Sequence, residues 1–177
     1  MARLSFGSTA VSRDYDVVGT VERAIVDLTS SEVKSYVVHT TIPPIHDILV
    51  PVGAVGELDD ELSVDLTTEQ LRGMPDFIDA SFGPWVTPQR PVPHKEVLVP
   101  SNKVELSAAT RVQGVDGNLG TVAGVIVDEM TYELTDVVIK VDFLGKVVVI
   151  PAAWVGHFRL GRIEVSCSRD ELARYAA

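Results

Sequence analysis

Short runs of valine and isoleucine alternate with polar turns along the chain. In the first half they fall at residues 20–28, 35–41 and 47–51, and in the second half at 121–129, 136–141 and 146–151. These runs are rich in β-branched residues and too short for core helices, so they predict strands. Turn-forming groups such as Asp116-Gly117-Asn118 and Leu144-Gly145-Lys146 lie beside them, which indicates antiparallel strands with close connections.

Two short helices are predicted, one at the end of each half. A polar residue, Thr67 or Ser168, precedes the helical patterns at Thr68–Arg72 and 169–174. Thr and Ser are favoured N-caps, and acidic residues in the first turn complement the helix dipole. The predicted fold class is therefore all-β with short terminal helices.

The two halves of the chain repeat each other. At a spacing of 101 residues, or 100 after a short slip, the matches include Gly19-Thr20-Val21 with Gly120-Thr121-Val122, Ile25-Val26-Asp27 with Ile126-Val127-Asp128, and Pro51 with Pro151. So many matches in register, with one short shift, indicate a single structural unit that is present twice.

Each unit is predicted to form a small antiparallel β-barrel. The continuous apolar stretches at 122–127 and 147–150 are typical of strands covered on both faces, which a closed barrel, or a barrel packed on its twin, provides. We expect a first unit at residues 1–78, a connecting segment at 79–104 and a second unit at 105–177.

The connection between the units combines prolines with aromatic residues. Prolines recur through residues 73–103, and Phe77, Phe82 and Trp85 lie among them. Because proline favours an extended course and aromatic rings favour burial, we expect this stretch to run over a barrel surface or in the groove between barrels. The alternative is that the rings are exposed and contact a partner, since large apolar patches mark interfaces.

The order of these motifs resembles that of the PRC-barrel family. The resemblance rests on Gly19-Thr20-Val21, Ile25-Val26-Asp27 and the run ending at Pro51, and on Gly120-Thr121-Val122, Val127-Asp128 and Trp154-Val155. PRC barrels occur in the cytoplasmic part of the photosynthetic reaction-centre H subunit and in a ribosome maturation factor. The resemblance implies two PRC-type barrels in tandem that serve as docking surfaces and not as catalysts. We expect neither specific function to carry over, because no counterpart of the membrane helix or the separate N-terminal domain is apparent.

Composition favours a soluble protein of a reducing compartment. No window approaches the ~18 apolar residues that span a bilayer, and the first residues contain no signal-peptide core. Cys167 is the single cysteine, whereas small secreted units usually carry several disulfides. We expect a cytoplasmic location, with attachment to the periphery of a membrane complex as one setting.

Charge argues against nucleic acid as a partner. The formal net charge is −10, and it is uneven: residues 1–78 hold 13 acidic and 5 basic residues, whereas residues 105–177 hold 10 and 7. Such a chain repels phosphate backbones unless its cations gather on one face. The candidate basic patch comprises Arg159, Arg162, Arg169 and Arg174, for which an ordinary solvated surface is the simpler interpretation.

No motif of catalysis or metal binding stands out. His39 and His46 flank a hairpin-like connection where Asp47 is placed to orient His46, but structural zinc normally takes four nitrogen or sulfur ligands. The acidic run Asp59-Asp60-Glu61 is more typical of a solvated turn than of a calcium site. Cys167 is expected to be a buried or half-buried thiol. We therefore predict no enzymatic activity, no cofactor and no metal.

The function predicted from the sequence is that of a non-catalytic adaptor or scaffold that docks a protein partner through its barrel surfaces. The candidate contact residues are Phe77, Phe82, Trp85 and Trp154. Trp154 is equally suited to the core, because its position in the first unit holds Ala54. The partner is expected to be a protein, in a membrane-associated or ribosomal complex, or a second copy of the chain. The alternative function is an accessory factor of RNA processing or ribosome assembly.

Overall fold

The computed structural model describes residues 2–43, 45–58, 61–74, 103–159 and 161–176. Within these ranges the chain forms two seven-stranded sheets and two short α-helices. The prediction of an all-β fold with short helices is confirmed. No helix in the described ranges is long and apolar enough to cross a membrane.

The first sheet is built mainly from the first half of the chain. Its strands from that half are β2 (Thr9–Val11), β3 (Val17–Asp27), β4 (Val33–Thr40), β5 (Asp47–Pro51), β6 (Val55–Leu58) and β7 (Leu62–Val64). They lie in the order β5-β4-β3-β2-β7-β6. A 3-10 turn at Val52–Ala54 joins β5 to β6, and helix α1 (Thr68–Arg72) follows β7.

The second sheet has the same strand order. Its strands from the second half are β9 (Arg111–Gly114), β10 (Gly117–Val127), β11 (Leu134–Val141), β12 (Lys146–Pro151), β13 (Val155–Arg159) and β14 (Arg162–Val165). They lie in the order β12-β11-β10-β9-β14-β13. A 3-10 turn at Ala152–Trp154 precedes β13, and helix α2 (Arg169–Ala176) follows β14.

The two halves exchange their first strands. Strand β1 (Ala2–Ser5) pairs with β10 of the second sheet, with Leu4 opposite Val125. Strand β8 (Lys103–Ser107) pairs with β3 of the first sheet, with Leu106 opposite Ala24. Each sheet is therefore completed by a strand from the other half of the chain.

Reciprocal contacts join the halves where their β3–β4 and β10–β11 turns meet. The amide of Val33 donates to the carbonyl of Tyr132 at 2.9 Å, and the amide of Leu134 donates to the carbonyl of Ser31 at 2.8 Å. Ser31 and Tyr132 occupy equivalent positions of the repeat and share a left-handed backbone, with φ of 57° and 63°. This reciprocity is the pattern of an approximate two-fold axis.

Three features differ from the predicted antiparallel barrels. In each sheet one pair of strands is parallel, β2 with β7 and β9 with β14. The β6–β7 and β13–β14 hairpins reverse the chain, so that β7 runs in the same direction as β2 and β14 in the same direction as β9. Pairing in each sheet follows an open path among the described residues, and no closed barrel is observed there. Val147, predicted to be covered on both faces, is 49% exposed.

One hydrophobic core runs through both sheets. It contains the exchanged residues Leu4 and Leu106, which are completely buried, as well as residues from the strands that receive them. The two sheets therefore share apolar burial, the main favourable contribution to folding.

The helices begin where the sequence predicts. Thr67 and Gln70 form a capping box at α1: the Thr67 hydroxyl accepts from the Gln70 amide, and the Gln70 side chain accepts from the Thr67 amide. At α2 the Ser168 hydroxyl accepts from the Glu171 amide at 3.2 Å, and the Glu171 carboxylate accepts from the Ser168 amide at 2.9 Å. Both caps satisfy amides that the first helical turn leaves unpaired.

Candidate docking surface

Helix α2 is held against the second sheet by its cap and by one buried side chain. Leu172 is completely buried, and the Arg169 amide donates to the Asp116 carboxylate at 3.2 Å. The first helical turn is thereby fixed to the turn between β9 and β10. This attachment orients the aromatic side chain near the end of the helix.

An aromatic pair lies at the other end of α2. The rings of Trp154, from the 3-10 turn, and Tyr175, from α2, have centroids 4.8 Å apart and are inclined at 59°. Trp154 is half-buried and packs partly against the core, whereas Tyr175 is 48% exposed. A tilted arrangement at this distance is a favourable geometry for aromatic rings.

A third aromatic residue lies beside the start of α2. Phe143, in the turn between β11 and β12, is 41% exposed, and the Arg169 guanidinium lies 5.4 Å from its ring centroid. At the end of the helix Lys146 donates to the carbonyl of Ala176 at 3.0 Å. The β11–β12 turn therefore contacts the start of α2, and the first residue of β12 contacts its end. We call Phe143, Trp154, Arg169 and Tyr175 the aromatic surface.

Among the residues that the structure describes, the first sheet has no equivalent of the aromatic surface. At the repeat spacing Trp154 corresponds to Ala54, Arg169 to Thr68 and Tyr175 to Met74. Thr68 instead donates its hydroxyl to the Asp16 carboxylate at 3.0 Å. Since the same helix and turn form in both halves, the fold does not require these aromatic and cationic side chains.

The predicted basic patch is divided among several elements. The Glu164 carboxylate has three basic neighbours on β13 and β14. Its oxygens lie 3.2 Å from Arg162 Nη2, 3.4 Å from His157 Nδ1 and 3.6 Å from Arg159 Nε. Arg169 lies against Phe143, as described above. Arg159 and Arg162 therefore have a carboxylate between them, which offsets part of their charge.

The histidines of the first half do not form the arrangement that the sequence suggests. Asp47 contacts His39 across β4 and β5, with 2.7 Å between the carboxylate and Nδ1, and so does not orient His46. The main chain of His46 bonds to Thr40 instead. Across the ranges that the structure describes, no group of three or more His, Cys, Asp or Glu side chains is placed to hold a metal ion.

Cys167 is buried, with 4% of its surface exposed. Burial raises the pKa of its thiol, and the nearby Glu171 and Asp116 carboxylates raise it further. The uncharged thiol is therefore favoured near neutrality, and a thiol in this form is a poor nucleophile.

Only one of the four predicted contact residues lies in the described part of the chain. Trp154 belongs to the aromatic surface, whereas Phe77, Phe82 and Trp85 lie outside the described residues. The sequence analysis missed Phe143 and Tyr175. The replacement of Met74 in one repeat by Tyr175 in the other is the signal that would have identified Tyr175.

Comparison with models of known protein families finds no match to this chain, and comparison with the curated proteins finds none either. The resemblance to the PRC-barrel family remains a prediction from the sequence motifs.

Proposed function

We propose that this chain is a non-catalytic adaptor that binds a protein partner through its aromatic surface. The observation that carries the proposal is the half-exposed Trp154–Tyr175 pair on α2, with Phe143 and Arg169 at the other end of the helix. Trp, Tyr and Arg are the residue types enriched among those that dominate binding energy at protein interfaces.

The difference between the two halves supports a role in recognition. A surface that served only to cover the core would be expected in both halves, because both build the same strand order and end in a capped helix. Within the described part of the chain the aromatic surface is found in the second half, where Trp154 and Tyr175 stand at the positions of Ala54 and Met74 in the first half. Exposed aromatic residues incur a cost in water that contact with a partner relieves.

The proposal includes the family that the motifs resemble. We propose that each sheet is a PRC-type barrel, on the basis of the repeated motif order and the strand order common to both halves. In that family the barrel is a docking surface. A cytoplasmic location, at the periphery of a larger complex, accords with the single cysteine.

An RNA-associated role is the competing hypothesis, and no contact among the described residues favours it. Two of the four candidate arginines, Arg159 and Arg162, flank the Glu164 carboxylate, and the chain carries a net charge of −10. Both features weaken attraction to phosphate.

The experiment is an affinity purification of the tagged full-length chain from native extract, with and without nuclease. We compare the wild type with Tyr175→Ala and Phe143→Ala. Tyr15→Ala is the matched control, because Tyr15 is a tyrosine of the first half that is 90% exposed. We expect a stoichiometric protein that survives nuclease, is reduced at least tenfold by either surface variant, and is retained by the control. Thermal unfolding of each variant checks that the fold is intact.

Two outcomes would contradict the proposal. If every co-purifying chain disappears after nuclease treatment, the RNA-associated function is favoured. If a protein partner is captured equally by all variants, docking takes place elsewhere on the molecule.

A further inference from the structure

A cavity lies between the two sheets near the approximate two-fold axis. Its volume is about 380 Å³, and residues of both sheets line it, among them Tyr36, Val52 and Val55 from the first and Ala2, Val127 and Tyr132 from the second. This volume falls within the ~300–1,000 Å³ typical of small-molecule sites, which favour the junctions between domains. None of the described lining residues belongs to the aromatic surface.

The Tyr36 side chain is an unusual component of this cavity. It is 2% exposed, and it is one of the residues that line the cavity. Burial, together with the phenol of Tyr132, raises the pKa of Tyr36 well above its usual value, so the group stays neutral. A neutral phenol hydroxyl in the wall of a cavity can accept a hydrogen bond from a bound donor.

Among the described residues of the cavity lining, the charged side chain is acidic. Glu129, which is exposed, contributes a carboxylate, and the lining residues within the described ranges include no lysine, arginine or histidine. The faces of the Tyr36 and Tyr132 rings also carry the negative part of the aromatic quadrupole. Both features favour a cation.

The polar groups of the cavity are absent from the symmetry-related position. At the repeat spacing Tyr36 corresponds to Val137, Tyr132 to Ser31 and Glu129 to Leu28. Val137 is completely buried in the same core. Since the other half folds around an aliphatic residue at this point, the hydroxyl of Tyr36 is not needed to build the sheet.

We propose that this cavity binds a small organic ammonium ion with an apolar body. The ammonium group donates to the Tyr36 hydroxyl and the Glu129 carboxylate, and the apolar body packs against Val52, Val55 and Val127. This site is additional to the docking function, because it uses a different set of residues.

The test uses three probes of similar size that differ in charge: phenethylamine, 2-phenylethanol and phenylacetate. Binding to the full chain is measured by titration calorimetry and by the shift in thermal unfolding. We expect the amine to bind, the alcohol to bind about tenfold more weakly and the carboxylate not to bind.

Loss of one hydrogen bond, as in Tyr36→Phe, is expected to weaken amine binding about tenfold. Glu129→Gln weakens it to a similar degree, and the control Glu22→Gln, at an exposed acid outside the cavity, leaves it unchanged.

The fold of each variant is checked without ligand. Tyr36→Phe keeps the buried ring and removes only the hydroxyl, so we expect this variant to fold. Glu129→Gln changes an exposed side chain and keeps the test decisive if the first variant fails to fold. The proposal is overturned if the alcohol or the carboxylate binds as tightly as the amine. It is also overturned if no amine binding is detected at millimolar concentration, or if affinity is the same in Glu129→Gln as in the wild type.

Discussion

At the scale of single residues, the glycine of the repeated Gly-Thr-Val motif permits two strands to approach closely. A Cβ atom on Gly19 would lie 2.2 Å from the carbonyl oxygen of His39, and one on Gly120 would lie 1.9 Å from that of Lys140. The obstructing atoms are main-chain atoms of the neighbouring strand, so a side chain cannot be accommodated by a rotamer change. The motif glycines therefore serve strand packing.

Gly19→Ala is expected to lower the free energy of unfolding by about 1–3 kcal/mol, because β3 and β4 must separate to admit the methyl group. Urea denaturation measures the change. Gly53→Ala is the matched control, since a Cβ there meets no atom within 4 Å. Equal stability of the two variants would show that the close approach is not rigid.

A second residue-scale feature is the aspartate at the start of each two-fold-related turn. Hydrogen bonds from the backbone amide of Thr29, and then Ser30, lower the pKa of Asp27; the amides of Met130 and Thr131 do the same for Asp128. Because each pKa is below its ordinary value of 3.8 in the folded state, the unfolded chain takes up protons first as the pH falls. The stabilisation of the folded state by these two carboxylates is present above about pH 4. It is lost as the pH falls through their folded-state pKa.

The double variant Asp27→Asn/Asp128→Asn is therefore expected to lose less stability than the wild type between pH 5 and pH 2. An asparagine side chain still accepts from the turn amides but does not titrate in this range. Denaturant unfolding at a series of pH values gives the comparison, with Asp142→Asn, an exposed aspartate of another turn, as the control. Identical acid profiles for the wild type and the double variant would contradict this account.

At the scale of elements, the exchange of β1 and β8 is the most consequential feature. Each strand presents buried leucines or valines to a sheet formed mainly by the other half of the chain. A strand added at an open edge satisfies backbone groups that would otherwise remain unpaired. The integrity of each sheet consequently depends on the sequence of the opposite half.

Leu4→Ala is expected to lower the free energy of unfolding by about 2–5 kcal/mol, as truncation of a fully buried leucine generally does. Its local effect should appear in the other half of the chain: because β1 pairs with β10, amide hydrogen exchange should accelerate more in β10 than in β3. Leu106→Ala, at the corresponding position of β8, is the matched variant and should accelerate exchange chiefly in β3. Effects confined to the half that carries the substitution would refute the strand exchange.

At the scale of the whole molecule, the two sheets are coupled through one core and two exchanged strands. The core contains buried residues of both halves, including Val33 and Leu134 next to the two-fold axis. The amides of these two residues also bond reciprocally across the axis. Opening either sheet therefore exposes apolar surface of the other.

Thermal unfolding of the full chain is accordingly expected to be a single cooperative transition. Scanning calorimetry should give a calorimetric enthalpy equal to the van't Hoff enthalpy, which is the test of two-state unfolding. The variant Leu4→Ala, used as an internal comparison, should shift this transition as a whole. Two resolved transitions, one for each half, would contradict the shared core.

Much of this molecule follows from local sequence patterns. The strands at Asp47–Pro51 and Lys146–Pro151 and the capped starts of both helices lie where their residues predict, because β-branched runs and N-caps act through neighbouring residues. Strands β1 and β8 were not predicted, since each is short and acquires its structure from a distant partner.

The sequence by itself determined the all-β class, the duplication of the unit and the positions of the helix caps. Tertiary structure decided which sheet receives β1 and β8, that Asp47 contacts His39, and that Tyr36 lines a cavity with Tyr132. The physical reason is the range of the interactions. Strand periodicity and capping depend on residues a few positions apart, whereas strand pairing and cavities depend on how segments far apart in the chain meet in space.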